Sequence, residues 1–311
     1  MKARTVVVTG VSVCALIAGA AMAGDTFGTG ANEFTIDFVT ISGATNPDSG
    51  YGIVSDDYRM GVHEITNDQW DKFRNSLGVG VWGTPREAYL DNSAWTGTNV
   101  PTNNTSWYEA AQFVNWLNTS TDHQAAYKFT GTQGTGNYRL ALWSAEEADD
   151  DTNFYRHKDA FYYLPNVDEW VKAGYWNGTA LQTYTNASPG DLRGGVPDPT
   201  KWNYGWSAWH RPCDVGSGVE ELNGTFDMMG NVWEWMESQP QEIGTNAPRW
   251  LCGGTYNLDQ SYLASVTGRI GHFPYFEHMT FGFRVASELP EPASLALLAL
   301  GGLAVLRRKR R

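Results

Sequence analysis

The sequence predicts a single mixed α+β domain with few regular elements and a large share of ordered loop. Three observations carry this reading. Three helix starts are marked by capping boxes, short strand-like runs are scattered between them, and long stretches follow neither the helical nor the strand period. Thr66 followed by Gln69 forms the first box, ahead of Trp70, Phe73 and Leu77, which share one helical face. Ser106 and Glu109 do the same for Trp107, Ala110, Val114 and Leu117. Asn166 and Glu169, just after Leu164-Pro165, open a third helix carrying Trp170 and Ala173. Phe38-Val39-Thr40-Ile41, Trp250-Leu251 and Phe283-Arg284-Val285 read as strands. Residues 119–159 and 177–199 show neither period, and ordered loops of that length are commonly functional. There is no internal repeat and no heptad pattern.

The two ends stand apart from this domain. Lys2 and Arg4 precede an apolar run over 5–20 and the small-x-small site Ala21-Met22-Ala23, which predicts a signal peptide over 1–23. At the other end, residues 289–311 hold Pro290-Glu291-Pro292, an apolar stretch suited to a short hydrophobic helix, and a basic tail from Arg307 to Arg311. The basic cluster would stay on the cytoplasmic side and give transient membrane anchoring. In this order the three features resemble the PEP-CTERM sorting tag. The resemblance implies an exosortase-type sorting enzyme as partner and delivery to the cell surface or extracellular matrix. A protein that kept the tag would stay membrane-anchored. The globular domain then spans 24–288.

Seven basic residues lie in those ends, so the domain is more acidic than the whole chain's net −12. Such a surface repels nucleic acid and anionic lipid, which excludes both as partners. An aromatic content of 14% argues against disorder despite the charge. With Cys14 in the signal peptide, Cys213 and Cys252 remain, and an even count in an oxidising compartment fits one disulfide. A free pair is the alternative. There is no Cys-x-x-Cys to suggest redox chemistry.

The motifs fall in the order of a known family. Phe38-Val39-Thr40-Ile41-Ser42-Gly43, Glu64-Ile65-Thr66-Asn67, Thr105-Ser106-Trp107 and Leu164-Pro165 with Glu169-Trp170 come first. Asn223-Gly224-Thr225-Phe226-Asp227-Met228-Met229-Gly230-Asn231-Val232-Trp233-Glu234-Trp235 is the most specific block. Cys252-Gly253-Gly254-Thr255-Tyr256 and Gly282-Phe283-Arg284 close the series. Together they resemble the formylglycine-generating (sulfatase-modifying factor) family over nearly the whole domain. The resemblance implies a C-type-lectin-like architecture.

It also implies a structural calcium ion held by Asp227, Gly230, Val232 and Glu234. A tight glycine-containing turn that aims carbonyls and carboxylates inward suits this hard cation. On the bland reading, Glu234 and Asn231 only satisfy buried backbone groups. Catalytic members hold copper between two cysteines, as suits soft thiolates. Counting back from Arg284 through Arg269, those positions are Ser261 and Val266 here, so no catalytic residue and no copper are expected.

The family's substrate cleft corresponds to 260–280, where Tyr262, Arg269, His272, Phe273 and Tyr275 are candidate ligand contacts. They could equally be core and rim residues. His272 and His278 read as solvated loop histidines rather than metal ligands. The function that follows is an exported, cell-surface or matrix-associated module, non-catalytic, that binds an extracellular polysaccharide or another surface ligand, or serves structurally. The alternative is an extracytoplasmic metalloenzyme of the wider family with oxidative activity.

Overall fold

Each of the three capping boxes starts a helix. The computed structural model describes residues 23–81, 94–149, 153–185, 200–205, 211–237, 244–259 and 268–290. Tyr262, Ser261 and Val266 lie outside the described residues, as do the predicted signal peptide up to Met22 and the sorting segment from Glu291 onward. In chain order the elements are β1 (Ala23–Phe27), a 3-10 turn (Gly30–Asn32), β2 (Phe34–Ile41), β3 (Tyr58–Gly61), α1 (Asn67–Leu77) and α2 (Trp107–Ser120). There follow β4 (Lys128–Thr130), β5 (Arg139–Ala141), β6 (Tyr162–Tyr163), α3 (Val167–Tyr175), β7 (Trp233–Trp235), β8 (Arg249–Cys252), β9 (Arg269–His272), β10 (Phe281–Gly282) and β11 (Ala286–Ser287).

The helices form where free backbone N–H groups find partners at the start. The Thr66, Ser106 and Asn166 side chains accept from the N–H three residues on, and Gln69, Glu109 and Glu169 reach back to complete each box. Gly78, at φ 71°, ends α1 in the left-handed conformation. The faces read from the sequence are the buried ones. Trp70 and Phe73 of α1 meet Phe113 of α2 at ring distances of 5.9 and 5.0 Å, and Phe283 packs 5.3 Å from Phe113.

Two sheets frame this core. The first has the order β1-β2-β3-β11-β6 and is antiparallel throughout. In β2, Phe34, Ile36 and Phe38 point inward while Thr35 and Asp37 face solvent, the period of a half-buried strand. The second has the order β10-β7-β8-β9, with β10 parallel to β7 and the other pairs antiparallel.

Two expectations are corrected. Phe283-Arg284-Val285 is not a strand but the crossing between the sheets, from β10 to β11. Its carbonyls are used all the same: Ile65 N donates to Phe283 O at 2.9 Å and Gly61 N to Val285 O at 2.8 Å. A side chain on Gly282 would place its Cβ 2.6 Å from Thr102 O, so the approach to this crossing admits only glycine. Within 119–159, where no period shows, β4 and β5 pair as a short hairpin with Phe129 stacked on Tyr138 at 4.8 Å. Three-residue strands are too short to show an alternation.

Candidate ligand-binding site

The turn before β7 places the site's inner wall. Asp227, Gly230 and Asn231 all have positive φ, at 60°, 89° and 54°. A Cβ at Gly230 would fall 2.2 Å from Asn203 O, so glycine is required there. Asn231 holds the turn closed: its N–H donates to Asn203 O, its amide donates to Glu64 at 2.7 Å, and its Oδ1 accepts from Cys213 N at 2.9 Å.

Glu234 meets Arg284 beneath the turn. Arg284 Nε donates to one carboxylate oxygen at 2.6 Å and Nη2 to the other at 2.7 Å, with both side chains fully buried. The remaining guanidinium hydrogens go to the carbonyls of Gly61, Val62 and Phe226 at 3.0, 3.2 and 2.8 Å. All five donors of the fork are thereby used. Trp170 Nε1 adds a third bond to Glu234 at 2.8 Å, tying α3 to the same point.

Three further acids surround this pair. Burial pushes Asp227 up to about 6 and Glu221 up to about 7, and it raises Glu64 well above the carboxylate range, with Asp227 and Glu234 adding to the shift. Burial, with the Arg284 charge, lowers His63 to about 4.

Two of the four expected calcium ligands, the Glu234 and Asp227 carboxylates, already accept hydrogen bonds within the protein. Both oxygens of Glu234 are occupied by Arg284 and Trp170, and Asp227 Oδ2 accepts from Gly216 N at 2.7 Å. The positive charge that faces Glu234 is the Arg284 guanidinium. Among the described residues, no group of three or more histidines, cysteines and acids is arranged to hold a metal.

Of the two readings open for Cys213 and Cys252, one disulfide or a free pair, the structure carries the free pair. Cys213 sits in the loop whose N–H bonds Asn231, near Asp227 and Arg211, whereas Cys252 ends β8 opposite Glu234 and Arg269. Different walls of the turn hold them. Burial raises the Cys213 thiol to about 11 and raises Cys252 further.

The four described residues among those expected to form the cleft, Arg269, His272, Phe273 and Tyr275, do not converge. Successive residues of β9 point to opposite faces. Ile270 and His272 line a cavity of 410 Å³, while Arg269 turns away and stacks on Tyr51, 3.7 Å from its ring centre. Phe273 is exposed and stacks on Tyr275 at 5.5 Å, outside that cavity. His272 is therefore the one described candidate that lines it.

The cavity itself joins three strands and the loop after β8. Trp233, Ile270, Phe276, Phe281 and Leu258 supply apolar walls, and Asn257, Thr255, Thr280, His272 and His278 supply polar groups. His272 ends β9 and is half-buried, whereas His278 is an exposed loop histidine as expected, and both pack against aromatic rings. His272 lies 4.0 Å from Phe276 and 5.4 Å from Phe281, and His278 lies 5.3 Å from Phe281. Burial lowers both, and each depresses protonation rather than attracting charge. As neutral imidazoles each offers one donor and one acceptor. His278 Nδ1 is engaged with Thr280 Oγ1 at 2.8 Å, and His272 Nδ1 has no hydrogen-bond partner among the described residues. Trp233, Thr255 and Asn257 were missed as wall residues because they sit inside or beside motifs that read as framework.

The fold and site define a mixed α+β domain whose signature turn is closed by an internal guanidinium–carboxylate pair, with a shallow aromatic cavity beside it. The chain belongs to the sulfatase-modifying factor enzyme 1-like domain family, which matches residues 16–289. A PEP-CTERM protein-sorting motif matches residues 288–311, a tag for export and membrane-associated sorting by an exosortase-type enzyme. Similar curated proteins are inactive C-alpha-formylglycine-generating enzyme 2 of Mus musculus, 31% identical over 157 residues, and of Bos taurus, 30% identical over 141. These matches cover 42% and 38% of this chain and 51% and 46% of the relatives, so the chain spans about half the length of the curated relatives it matches.

Among solved structures, Treponema denticola variable protein 1 is similar at a TM-score of 0.58 and 20% identity, covering 86% of this chain and 99% of that one. CarF follows at 0.57 and 22%, covering 82% and 99%, and PvdO from Pseudomonas aeruginosa at 0.55 and 15%, covering 86% and 98%. These likenesses carry the fold alone.

Proposed function

We propose that the protein is a non-catalytic ligand-binding module of the cell surface or extracellular matrix, and that its ligand is a neutral saccharide held in the cavity between β7, β9 and β10. The observation that carries this reading is the pairing of apolar ring walls with neutral polar groups in one cavity. Phe276 offers an exposed ring to the apolar side of a sugar, with the nearly buried Trp233 and Phe281 edging the cavity, while His272, His278 and Asn257 offer hydrogen bonds to its hydroxyls. Among the described residues no charged side chain lines the cavity, and the acidic chain disfavours an anionic polymer. The non-catalytic reading rests on residue types: Ser261 and Val266 stand where the resemblance places copper thiolates.

Saturation-transfer NMR on the exported protein with neutral oligosaccharides tests this. Transfer to the sugar protons is expected, with loss in the half-exposed variant Phe276→Ala and in His272→Ala. Equal transfer in both variants would remove this cavity from the account.

A further inference from the structure

We infer that the exosortase-type enzyme that removes the sorting tag docks on one end of the five-stranded sheet, where Arg59 holds the root of the tag. Tag and sheet end are then one substrate. The chain path brings both termini of the domain to that end. From β1 through β2 and β3 to β11 every neighbouring pair is antiparallel. β1 and β11 therefore run in opposite directions, and β1 begins at the end where β11 stops.

Arg59 of β3 joins the two. Its Nη1 and Nη2 donate to the two carboxylate oxygens of Asp25 in β1, at 3.1 and 2.6 Å. Its Nε hydrogen is shared between Ser287 Oγ at 2.9 Å and the Glu288 carbonyl at 3.2 Å. Tyr162 Oη donates a further bond to Asp25 at 2.9 Å. The guanidinium is nearly buried and lies 4.6 Å from the centre of the Phe38 ring. The Glu288 N–H is committed as well, to Phe161 O at 2.9 Å. Glu288 is thus held by both its N–H and its carbonyl, and Leu289 and Pro290 beyond it are exposed.

Two features make this end a docking surface rather than a mere exit. β11 lies between β3 and β6, so the tag cannot be drawn away by peeling off an edge strand. The spacing is also short. From Ser287 to Pro290 the chain reaches at most about 11 Å, and to Ala293, where the apolar run starts, at most about 22 Å. An enzyme that closes on Pro290-Glu291-Pro292 at the membrane surface must touch the sheet end. The acidic domain repels an anionic lipid face, so the partner that fits there is the protein that reads the tag. A tag held at its root also loses less conformational freedom on entering that enzyme, which favours its removal.

The test follows loss of the tag from the full-length precursor in the producing cells by pulse-chase labelling. Gly-Ser-Gly-Ser inserted between Leu289 and Pro290 lies beyond the sheet and should leave the Tm of the domain unchanged. It should slow removal about tenfold, as for the freedom of about one residue restored. Asp25→Ala, at the other end of the chain, should slow removal by releasing Arg59, yet add nothing in the linker-bearing chain, where the root is already free. Removal unchanged or faster with the linker would overturn the inference, as would a tag that the parent protein keeps. So would Asp25→Ala without effect on the parent chain. Equal slowing by Asp25→Ala in both chains would overturn it too, since that marks lost stability alone.

Discussion

Arg284 grips Glu234 through both carboxylate oxygens, at 2.6 and 2.7 Å, and spends its other donors on the carbonyls of Gly61, Val62 and Phe226. One residue on the crossing between the sheets thus holds the end of β3, the turn before β7, and β7 itself. The pair stands in for the sheet hydrogen bonds that this loop-rich region lacks.

Removing one partner of a buried pair leaves the other charge uncompensated. Arg284→Met is expected to lower unfolding free energy by about 3–5 kcal/mol in urea titrations, and Glu234→Gln by a smaller amount because the amide keeps one acceptor. The Arg284→Met/Glu234→Met double variant should be more stable than Arg284→Met alone.

Stability should fall as pH rises through the acid range. Asp227 and Glu221 have folded pKa values of about 6 and 7, above their ordinary 3.8 and 4.5, and Glu64 is raised as well. A raised carboxylate binds its proton more tightly in the folded chain, so its contribution is full below the unfolded value and is lost as pH climbs through the folded one. His63 opposes this, since its lowering from 6.5 to about 4 makes stability rise across that interval. His272 and His278, also lowered, act with His63, while Asp168, Glu237 and Glu288 are raised alongside the three acids above. Among the described residues, six raised acids outweigh three lowered histidines. Thermal melts are expected to show a higher Tm at pH 5 than at pH 8, and the difference should shrink in Glu221→Gln.

The calcium question has a direct readout. With Glu234 bound by Arg284 and Trp170, excess EDTA should leave the Tm unchanged and added calcium should not raise it. A fall of several degrees on chelation would show that the ion displaces this arrangement.

Both thiols are free but protected by burial. In the native protein, Cys213, raised to about 11, and Cys252, raised further, are expected to react with Ellman's reagent far more slowly than after denaturation, when both should titrate. Absence of thiol from the unreduced, denatured protein would restore the disulfide.

Much of the helical framework was legible because capping boxes are local. Thr66–Gln69, Ser106–Glu109 and Asn166–Glu169 each announce a helix within four residues, and each box is formed. The strands were legible in part. β2 alternates over eight residues, whereas β10 and β11 have two each and are defined by distant partners. Phe283-Arg284-Val285 has strand composition yet crosses between sheets, and nothing local reveals that Arg284 meets Glu234 fifty residues earlier.

The site was harder still. Its candidates were chosen by position in one segment, but β9 sends Arg269 and His272 to opposite faces, and the walls at Trp233, Thr255 and Asn257 come from other elements.

The central claim is that the cavity beside β9 binds a neutral surface saccharide. Affinity electrophoresis through gels containing neutral polysaccharide from the producing cells tests it most directly. The wild-type exported protein should be retarded in proportion to polysaccharide content, and Phe276→Ala with His272→Ala should migrate as in a plain gel. Equal mobility of wild type and variant at every polysaccharide content would contradict the account.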